Sequence, residues 1–329
     1  MLYRMEGYCM LKRRIGVILL SILMLTGCGN VKLTTGLSSR QFARIAGYEV
    51  DMGVARLLLS EYKYSYENMF NGEVWDKEVD GMTTEEFVKN SVKDTIESIV
   101  YARNMSVELK IEITEDERER IKKASDQYMY SFDNESKSFD KKAVEQFYTD
   151  LLLAEKCFYA VTDSVDTMVS TDEARKIQVQ YIFLEETAKE QGEMILKELE
   201  SGEDFGTLAM EYSKDKNYSM ELSRGEHCKE FCDAAFALEM GQTSKLVESP
   251  YGYFIIKCIN YNMDCDYDEQ CEKIILARRK SVFTEAYLDY ADGKSVEFND
   301  DFWEDTPMEE LSKGSGNLYS IYEEFVQTK

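Results

Sequence analysis

The segment from Ile177 to Ile259 alternates strand-like and helix-like stretches, and this alternation restricts the possible folds more than any other feature of the chain. The stretch "IQVQYIFL", Ile177 to Leu184, is rich in β-branched and aromatic residues, which favours a strand. Helix-like stretches follow, and a last strand begins at Gly252, directly after the turn residues of "SPYG". Helices placed between strands in so short a segment predict a compact α+β unit.

Helical periodicity dominates most of the remaining chain, which contains only two prolines. Thr83 to Glu86 and Thr114 to Glu117 have the pattern of capping boxes, in which a hydroxyl and a glutamate satisfy backbone donors at a helix start. Further apolar stripes predict helices near Val54–Phe70, from about Asp140 to Thr162 and from about Asp268 to Tyr290. Their wide apolar faces fit an ordinary core and equally a groove for client proteins.

The first thirty residues have the pattern of an export signal. Lys12, Arg13 and Arg14 precede an apolar run, Ile15 to Leu25, that ends in the tetrapeptide "LTGC". At ~1.5 Å per residue this run is too short to cross a hydrocarbon core of ~30 Å. The tetrapeptide resembles a bacterial lipobox, which implies that the Cys28 thiol receives a diacylglyceryl group and becomes the mature N-terminus. The alternative is an unprocessed signal anchor.

These features predict five regions along the chain. Residues 1–27 form a lipoprotein signal peptide and residues 28–41 a tether, so that a lipid anchor holds the protein on the outer face of the cytoplasmic membrane. A helical domain follows over residues 42–166, and the α+β unit covers 171–262. Residues 263–329 form a C-terminal helix and an acidic tail, which we expect to pack back on the helical domain.

Charge and cysteine content limit the ligands. The formal net charge of −24 at pH 7 argues against nucleic acid, whose backbone requires a positive protein surface. Disulfides and free or packed thiols both remain possible for the six cysteines of the exported part, Cys157, Cys228, Cys232, Cys258, Cys265 and Cys271. His227, Cys228 and Cys232 could bring metal ligands to a helix start, but a fourth ligand is not evident, so we expect neither a metal nor a cofactor.

Four sequence motifs, in this order along the chain, resemble a parvulin-type peptidyl-prolyl isomerase domain. They are "YIFL", "ESGEDFGTLAMEYSKD", "FCDAAFALEMGQTS" and "VESPYGYFIIK". The resemblance implies a four-stranded antiparallel sheet with surrounding helices. The flanking lipobox, helical region and returning helix are similar in layout to PrsA-type foldase lipoproteins and SurA-like chaperones.

The resemblance also implies a site, with two departures from the family pattern. Tyr181 and Phe254 occupy positions where the family usually has a histidine pair, and Asp215 matches an acidic or cysteine position in the loop after the second helix. Leu222, Phe231 and His227 match the proline pocket, His227 standing where a methionine is usual. The stretch between Leu222 and Phe231 is shorter than in the family, which can reshape the pocket rim.

Two functions follow from this resemblance. One is an extracytoplasmic foldase that isomerises X–Pro bonds of exported polypeptides with reduced activity, since Phe254 offers no imidazole hydrogen bond while Tyr181 keeps a hydroxyl that can meet Asp215. The other is a holdase chaperone that keeps the parvulin fold as a peptide-binding module. An envelope adaptor is a third reading. In a domain without activity, Phe231 and Phe254 would be core aromatics and Asp215 a loop residue.

The lipobox leads to a direct test. We expect a radiolabelled or clickable lipid precursor to label the wild-type protein in its bacterial host and to leave Cys28→Ser unlabelled, because only the thiol can carry the diacylglyceryl group. Gel fluorography measures this, with Cys271→Ser as a control that keeps its label. Equal labelling of Cys28→Ser would contradict the lipobox interpretation.

Overall fold

The structure is a computed structural model that describes residues 36–70, 72, 74–79, 81–132, 138–299 and 306–327. The predicted signal peptide and Cys28 lie outside the described residues. The described chain divides into two units. One contains the residues up to Val165 and those from Arg278 onward, and the other contains Asp166–Ala277.

The first unit is built mainly on long helices. In the part of the unit before Val165, the described helices are α1 (Met52–Phe70), α2 (Thr84–Glu108), α3 (Glu115–Tyr130) and α4 (Lys141–Val161). Both predicted capping boxes are confirmed: Thr83 and Thr114 are N-caps whose hydroxyls accept the backbone N–H of Glu86 and Glu117. Strands β3 (Glu78–Val79) and β4 (Met82–Thr83) form a small hairpin just before α2.

A three-stranded sheet was not expected in this unit. Strands β1 (Gln41–Ile45) and β2 (Tyr48–Asp51) form an antiparallel hairpin, so the expectation of a helical domain beginning at residue 42 is wrong for this segment. Ala46 and Gly47 have φ values of 46° and 81°, and two successive positive values allow a two-residue turn between twisted strands. Residues 296–298 add a further strand to the other edge of β1, with Ala43 opposite Phe298.

Residues 306–327 also belong to this unit, and two buried side chains of α1 hold them by their backbone. The Lys63 ammonium donates to the carbonyl oxygens of Met308, Glu309 and Leu311 at 2.7, 3.0 and 2.9 Å. The Glu61 carboxylate accepts the backbone N–H groups of Ser315 and Gly316 and the hydroxyl of Tyr128. A short helix, Leu318–Phe325, follows, and its Leu318 and Tyr322 side chains are fully buried.

The second unit contains a four-stranded antiparallel sheet, which confirms the predicted fold class. Its strands are β5 (Lys176–Leu184), β6 (Ser219–Leu222), β7 (Val247–Ser249) and β8 (Gly252–Met263), in the order β6-β5-β8-β7. Strands β6 and β7 were not predicted, since four and three residues are too few to give a sequence pattern. The helix Tyr267–Ala291 leaves this unit and ends in the first one.

Helices cover both faces of this sheet. The helices α5 (Lys189–Glu200) and α6 (Phe205–Tyr212) contribute Ile195, Phe205 and Leu208 to a core beneath Ile182 and Ile255. The helix α7 (Lys229–Phe236) packs on the opposite face. Alternate residues of β5 therefore enter different cores, as the period of a strand requires.

Two general features concern the described residues alone. All six cysteines from Cys157 to Cys271 are free thiols. Over the described ranges, the helices lack the combination of length and hydropathy needed to cross a bilayer.

Gly252 is required where β8 starts. Its φ is +129°, and a Cβ added there would lie 2.2 Å from the carbonyl oxygen of Leu184, the last residue of β5. Ser249 and Gly252 face each other across the turn, and the Ser249 hydroxyl donates to the Gly252 carbonyl. Only a residue without a side chain lets β8 begin so close to the end of β5.

We predict that Gly252→Ala lowers the free energy of unfolding by about 3 kcal/mol, since it combines positive-φ strain with a backbone clash. Gly241→Ala is the matched control: Gly241 has a φ of +84° with nothing within 4 Å of its added Cβ, so only strain remains. We expect a cost of about 1 kcal/mol there. Urea unfolding monitored by circular dichroism measures both, and equal costs would show that the approach to Leu184 is not limiting.

Candidate functional site

Strands β5 and β8 bring three aromatic side chains to one face of the sheet. Their antiparallel register pairs Phe183 with Phe254 and Tyr181 with Ile256. The Phe183 and Phe254 rings stack with centroids 4.9 Å apart, and the Tyr181 ring lies 6.2 Å from Phe254. Tyr181 and Phe183 share this face because they are two residues apart on one strand.

Helix α7 and the turn before it add two more rings, Phe231 and His227, to the cluster. The Phe231 ring meets Phe254 edge-on at 5.0 Å and Tyr181 at 5.7 Å. The His227 ring lies over Phe231, with centroids 4.1 Å apart, and meets Phe254 edge-on at 5.3 Å. Leu222, at the end of β6, is buried in the same core.

The polar part of the cluster is the hydrogen bond from the Tyr181 hydroxyl to Asp215 Oδ2, 2.6 Å long, which confirms the expected contact. The loop after α6 places Asp215, and this loop is fixed to β5: Lys214 donates its N–H to the Phe183 carbonyl, and Ser213 Oγ accepts the N–H of Phe183. Burial raises the pKa of Tyr181, and the hydrogen bond to Asp215 and its charge raise it further. The phenol therefore stays neutral and donates a hydrogen bond to the carboxylate.

The aromatic cluster is filled rather than open. Phe231 and Leu222 are 0% exposed, Phe254 is 4% exposed and Tyr181 is 8% exposed. The partly exposed side chains around it include His227, Phe183, Met220 and Cys228. Burial lowers the pKa of His227, so its imidazole is neutral at pH 7.

This arrangement limits the chemistry that the site can perform. Its aromatic side chains can pack against a ring once neighbouring side chains move aside, and its one phenol donates its proton to the Asp215 carboxylate. Among the described residues there is no group of three histidine, cysteine, aspartate or glutamate side chains that could hold a metal ion.

The structure brings all six predicted site residues of this unit into one cluster: Tyr181, Asp215, Leu222, His227, Phe231 and Phe254. Their roles in binding or catalysis stay predictions. The seventh, Cys28, lies outside the described residues. Sequence reasoning did not single out Phe183, although its position two residues after Tyr181 on a strand was a usable signal. Cys228 was considered as a metal ligand, a disulfide partner or a free or packed thiol, but not as part of this cluster.

Comparisons with known proteins agree with this geometry. The family described as "Rotamase: PPIC-type PPIASE domain" matches residues 184–260. A foldase protein PrsA from Geobacillus sp. (strain WCH70) is 30% identical over 223 residues, which cover 63% of this chain and 79% of that protein. The chain therefore belongs to the PrsA foldase family.

Other PrsA relatives extend the match. The foldase protein PrsA of Caldanaerobacter subterraneus subsp. tengcongensis is 26% identical over 271 residues, 75% of this chain and 82% of that protein. Foldase protein PrsA 4 of Bacillus cereus is 45% identical over 107 residues, 30% of this chain and 37% of that protein. A crystal structure of the peptidylprolyl isomerase PrsA from Bacillus cereus covers 78% of this chain and all of that chain, at 22% identity and a TM-score of 0.42.

The Tyr181–Asp215 bond gives a stability prediction. We expect Tyr181→Phe to lower the free energy of unfolding by about 1–2 kcal/mol, because Asp215 loses a donor from a partly buried charge-assisted hydrogen bond. Tyr251→Phe removes a hydroxyl from a side chain that is 65% exposed and serves as the control, with a cost close to zero. Urea unfolding measures both, and equal values would show that the bond contributes nothing.

Proposed function

We propose that the chain is an extracytoplasmic, lipid-anchored foldase whose parvulin unit binds apolar, proline-containing segments of exported polypeptides and isomerises their X–Pro bonds weakly. The main support is the cluster of Tyr181, Phe231 and Phe254 beside Asp215, in a unit that matches a rotamase domain. In this proposal the catalytic residues are Tyr181, Asp215 and Phe254, which lie beneath the bound amide. Leu222, His227 and Phe231 bind the proline, which requires the filled cluster to open, because Leu222 and Phe231 are 0% exposed.

The reaction requires no nucleophile. Rotation about a peptide C–N bond faces a barrier of ~18–20 kcal/mol, because resonance gives the bond double-bond character. X–Pro bonds are the ones that populate the cis form, and they exchange over tens of seconds or longer. A site accelerates the rotation when it binds the twisted, less conjugated amide more tightly than the planar one. The aromatic side chains of the cluster offer surface for the proline ring, and the Tyr181 hydroxyl can donate to the amide when it leaves Asp215.

The reduced activity follows from the two substituted positions. Phe254 places a ring without donors or acceptors at a position where the family usually has an imidazole, and it is packed against Phe183 and Phe231. The Tyr181 hydroxyl is already committed to Asp215. Each tenfold in rate corresponds to ~1.4 kcal/mol of transition-state stabilisation, so losing ~3 kcal/mol costs about two powers of ten.

The proposed location depends on the N-terminal sequence. A basic start, a short apolar run and "LTGC" support export and lipid attachment at Cys28, and the relatives in the comparisons carry the name foldase. Clients would then be unfolded polypeptides outside the cytoplasmic membrane, and the protein would work tethered to its outer face.

A non-catalytic holdase is the second candidate, and exposed apolar side chains of the first unit favour it. They lie where its helices end: Met69 and Phe70 at the end of α1, Val107 and Leu109 at the end of α2, and Tyr130 at the end of α3. Their exposure is large, 82% for Tyr130 and 71% for Met69. Exposed apolar surface of this kind is what a chaperone uses to hold an unfolded chain.

Refolding of a substrate protein limited by a cis proline separates the two functions. We expect the wild-type protein to accelerate the slow phase weakly. We expect Tyr181→His with Phe254→His to raise the catalysed rate by about tenfold or more, because the two imidazoles supply polar groups beside the bound amide. The same double substitution in an Asp215→Ala background is the matched control and should lose most of the gain. Stopped-flow fluorescence of the substrate protein measures the rates.

Aggregation of a chemically unfolded client, followed by light scattering, is measured in parallel. If the wild-type protein suppresses aggregation but does not accelerate the slow phase, the holdase function replaces the isomerase function. If the double-histidine protein is also inactive although folded, the shortened stretch between Leu222 and Phe231, rather than the missing imidazoles, limits catalysis.

A further inference from the structure

A thiol and an imidazole meet at the edge of the aromatic cluster. Cys228 Sγ lies 3.3 Å from His227 Nδ1, and both side chains are partly exposed. A second sulfur lies one helical turn further on, where the Cys232 thiol contacts the backbone carbonyl oxygen of His227 at 3.5 Å and is buried. The metal site considered for these residues is not present as a three-ligand group in the described chain. The pair of Cys228 and His227 therefore needs another explanation.

The hydrogen bonds fix which nitrogen faces the sulfur. The backbone N–H of Cys228 donates to His227 Nδ1 at 2.9 Å, so Nδ1 carries the lone pair and Nε2 the proton of the neutral ring. Burial lowers the pKa of His227, which keeps this ring neutral at pH 7. Nδ1 therefore carries the basic lone pair of the ring, which now accepts the Cys228 N–H, and it can take the thiol proton when this backbone hydrogen bond opens.

The position of Cys228 on the helix acts in the same direction. Cys228 is the N-cap residue of α7, and no side chain caps the first N–H groups of that helix. The positive end of a helix attracts negative charge, such as the charge on an attacking sulfur. Burial raises the pKa of Cys258, and it raises that of Cys157 to about 12, which disfavours reaction at those two thiols. Cys228 differs from these thiols in having an adjacent base, a helix start and access to solvent.

We propose that Cys228 is a reactive thiol, activated by His227, which low-molecular-weight disulfides modify, and that this modification closes the candidate site. His227 Nδ1 takes the proton of Cys228, and the thiolate attacks one sulfur of the disulfide. A new S–S bond forms as the old one breaks, and the departing thiolate receives a proton from the imidazolium. The product is a mixed disulfide on Cys228 and one free small thiol.

The modification would affect the site through contacts already described. Cys228 packs against the buried cluster that contains Tyr181, Phe231 and Phe254. Its neighbour His227 covers the Phe231 ring. A group attached to the sulfur would add bulk at the rim where a proline-containing segment has to enter. This second part of the proposal rests on the proposed function, whereas the reactivity of the thiol does not.

The reactivity is tested on the full chain with glutathione disulfide at pH 7, by mapping the modified cysteines over time by mass spectrometry. Cys265 and Cys271 are the reference thiols because they are also partly exposed. We expect Cys228 to react at least tenfold faster than either of them. His227→Phe keeps a ring above Phe231 and removes the base, so it should reduce the Cys228 rate to that of the reference thiols.

Similar rates at the three cysteines, or an unchanged Cys228 rate in His227→Phe, would overturn the proposal. Circular dichroism of the variant shows whether it is folded. If it is not, His227→Gln with the same readout replaces it.

The closing of the site is tested with a fluorescent apolar peptide that contains one proline. We expect Cys228-modified protein to bind it at least fivefold more weakly than the reduced protein, and dithiothreitol to restore binding. Cys228→Ser should bind the peptide as tightly as the wild-type protein, and treatment with glutathione disulfide should not change its affinity. Unchanged binding after modification would overturn the second part of the proposal. A reduced protein that binds no peptide would instead refute the proposed function, while the reaction rates still decide the reactivity of the thiol.

Discussion

The pairing of β5 with β8 is the interaction on which the candidate site depends. Its register sets Phe183 opposite Phe254 and Tyr181 opposite Ile256, and a shift by one residue would move all of these rings to the other face of the sheet. Gly252 permits the pairing to reach the last residue of β5, since any Cβ there would collide with the Leu184 carbonyl. The cluster is thus a consequence of two strands and one glycine, and α7 closes it by adding Phe231.

The same pairing brings Tyr181 and Phe254 together at the two positions where the resemblance leads us to expect histidines. The Phe254 ring stacks on Phe183 and meets Phe231 edge-on, and such aromatic contacts stabilise a core. A buried imidazole at position 254 would need hydrogen-bond partners, and a phenylalanine needs none. In the proposed isomerase, stability and catalysis therefore make opposite demands on this position. Phe254 meets the demand of stability, and of these two strand positions only 181 carries a polar side chain.

Much of the architecture could be predicted from local sequence. The capping residues at Thr83 and Thr114 are read directly from residue type and spacing, and the helix stripes set the bounds of α4 almost to the residue. The hairpin of β1 and β2 was missed because its turn, Ala46–Gly47, lacks the asparagine or aspartate that usually signals such turns. Strands β6 and β7 could not be found from a pattern, since four and three residues are too few for a period. The site residues were predicted from the resemblance to a family and not from periodicity. Their side chains come together because β5 pairs with β8, and local sequence does not reveal this long-range pairing.

The first unit is discontinuous in sequence, and buried polar groups make its two parts depend on each other. Glu61 is 8% exposed, and the N–H groups of Ser315 and Gly316 are among its hydrogen-bond donors. Lys63 is equally buried, and its ammonium donates to the three carbonyls of residues 308, 309 and 311. Without the C-terminal segment, both charged groups would lose these hydrogen-bond partners. Gly314 and Gly316 fit this contact closely, since an added Cβ would lie 2.4 Å from Glu61 and 2.1 Å from Tyr64 respectively. The residues up to Val165 and those from Arg278 onward therefore stabilise each other within the first unit.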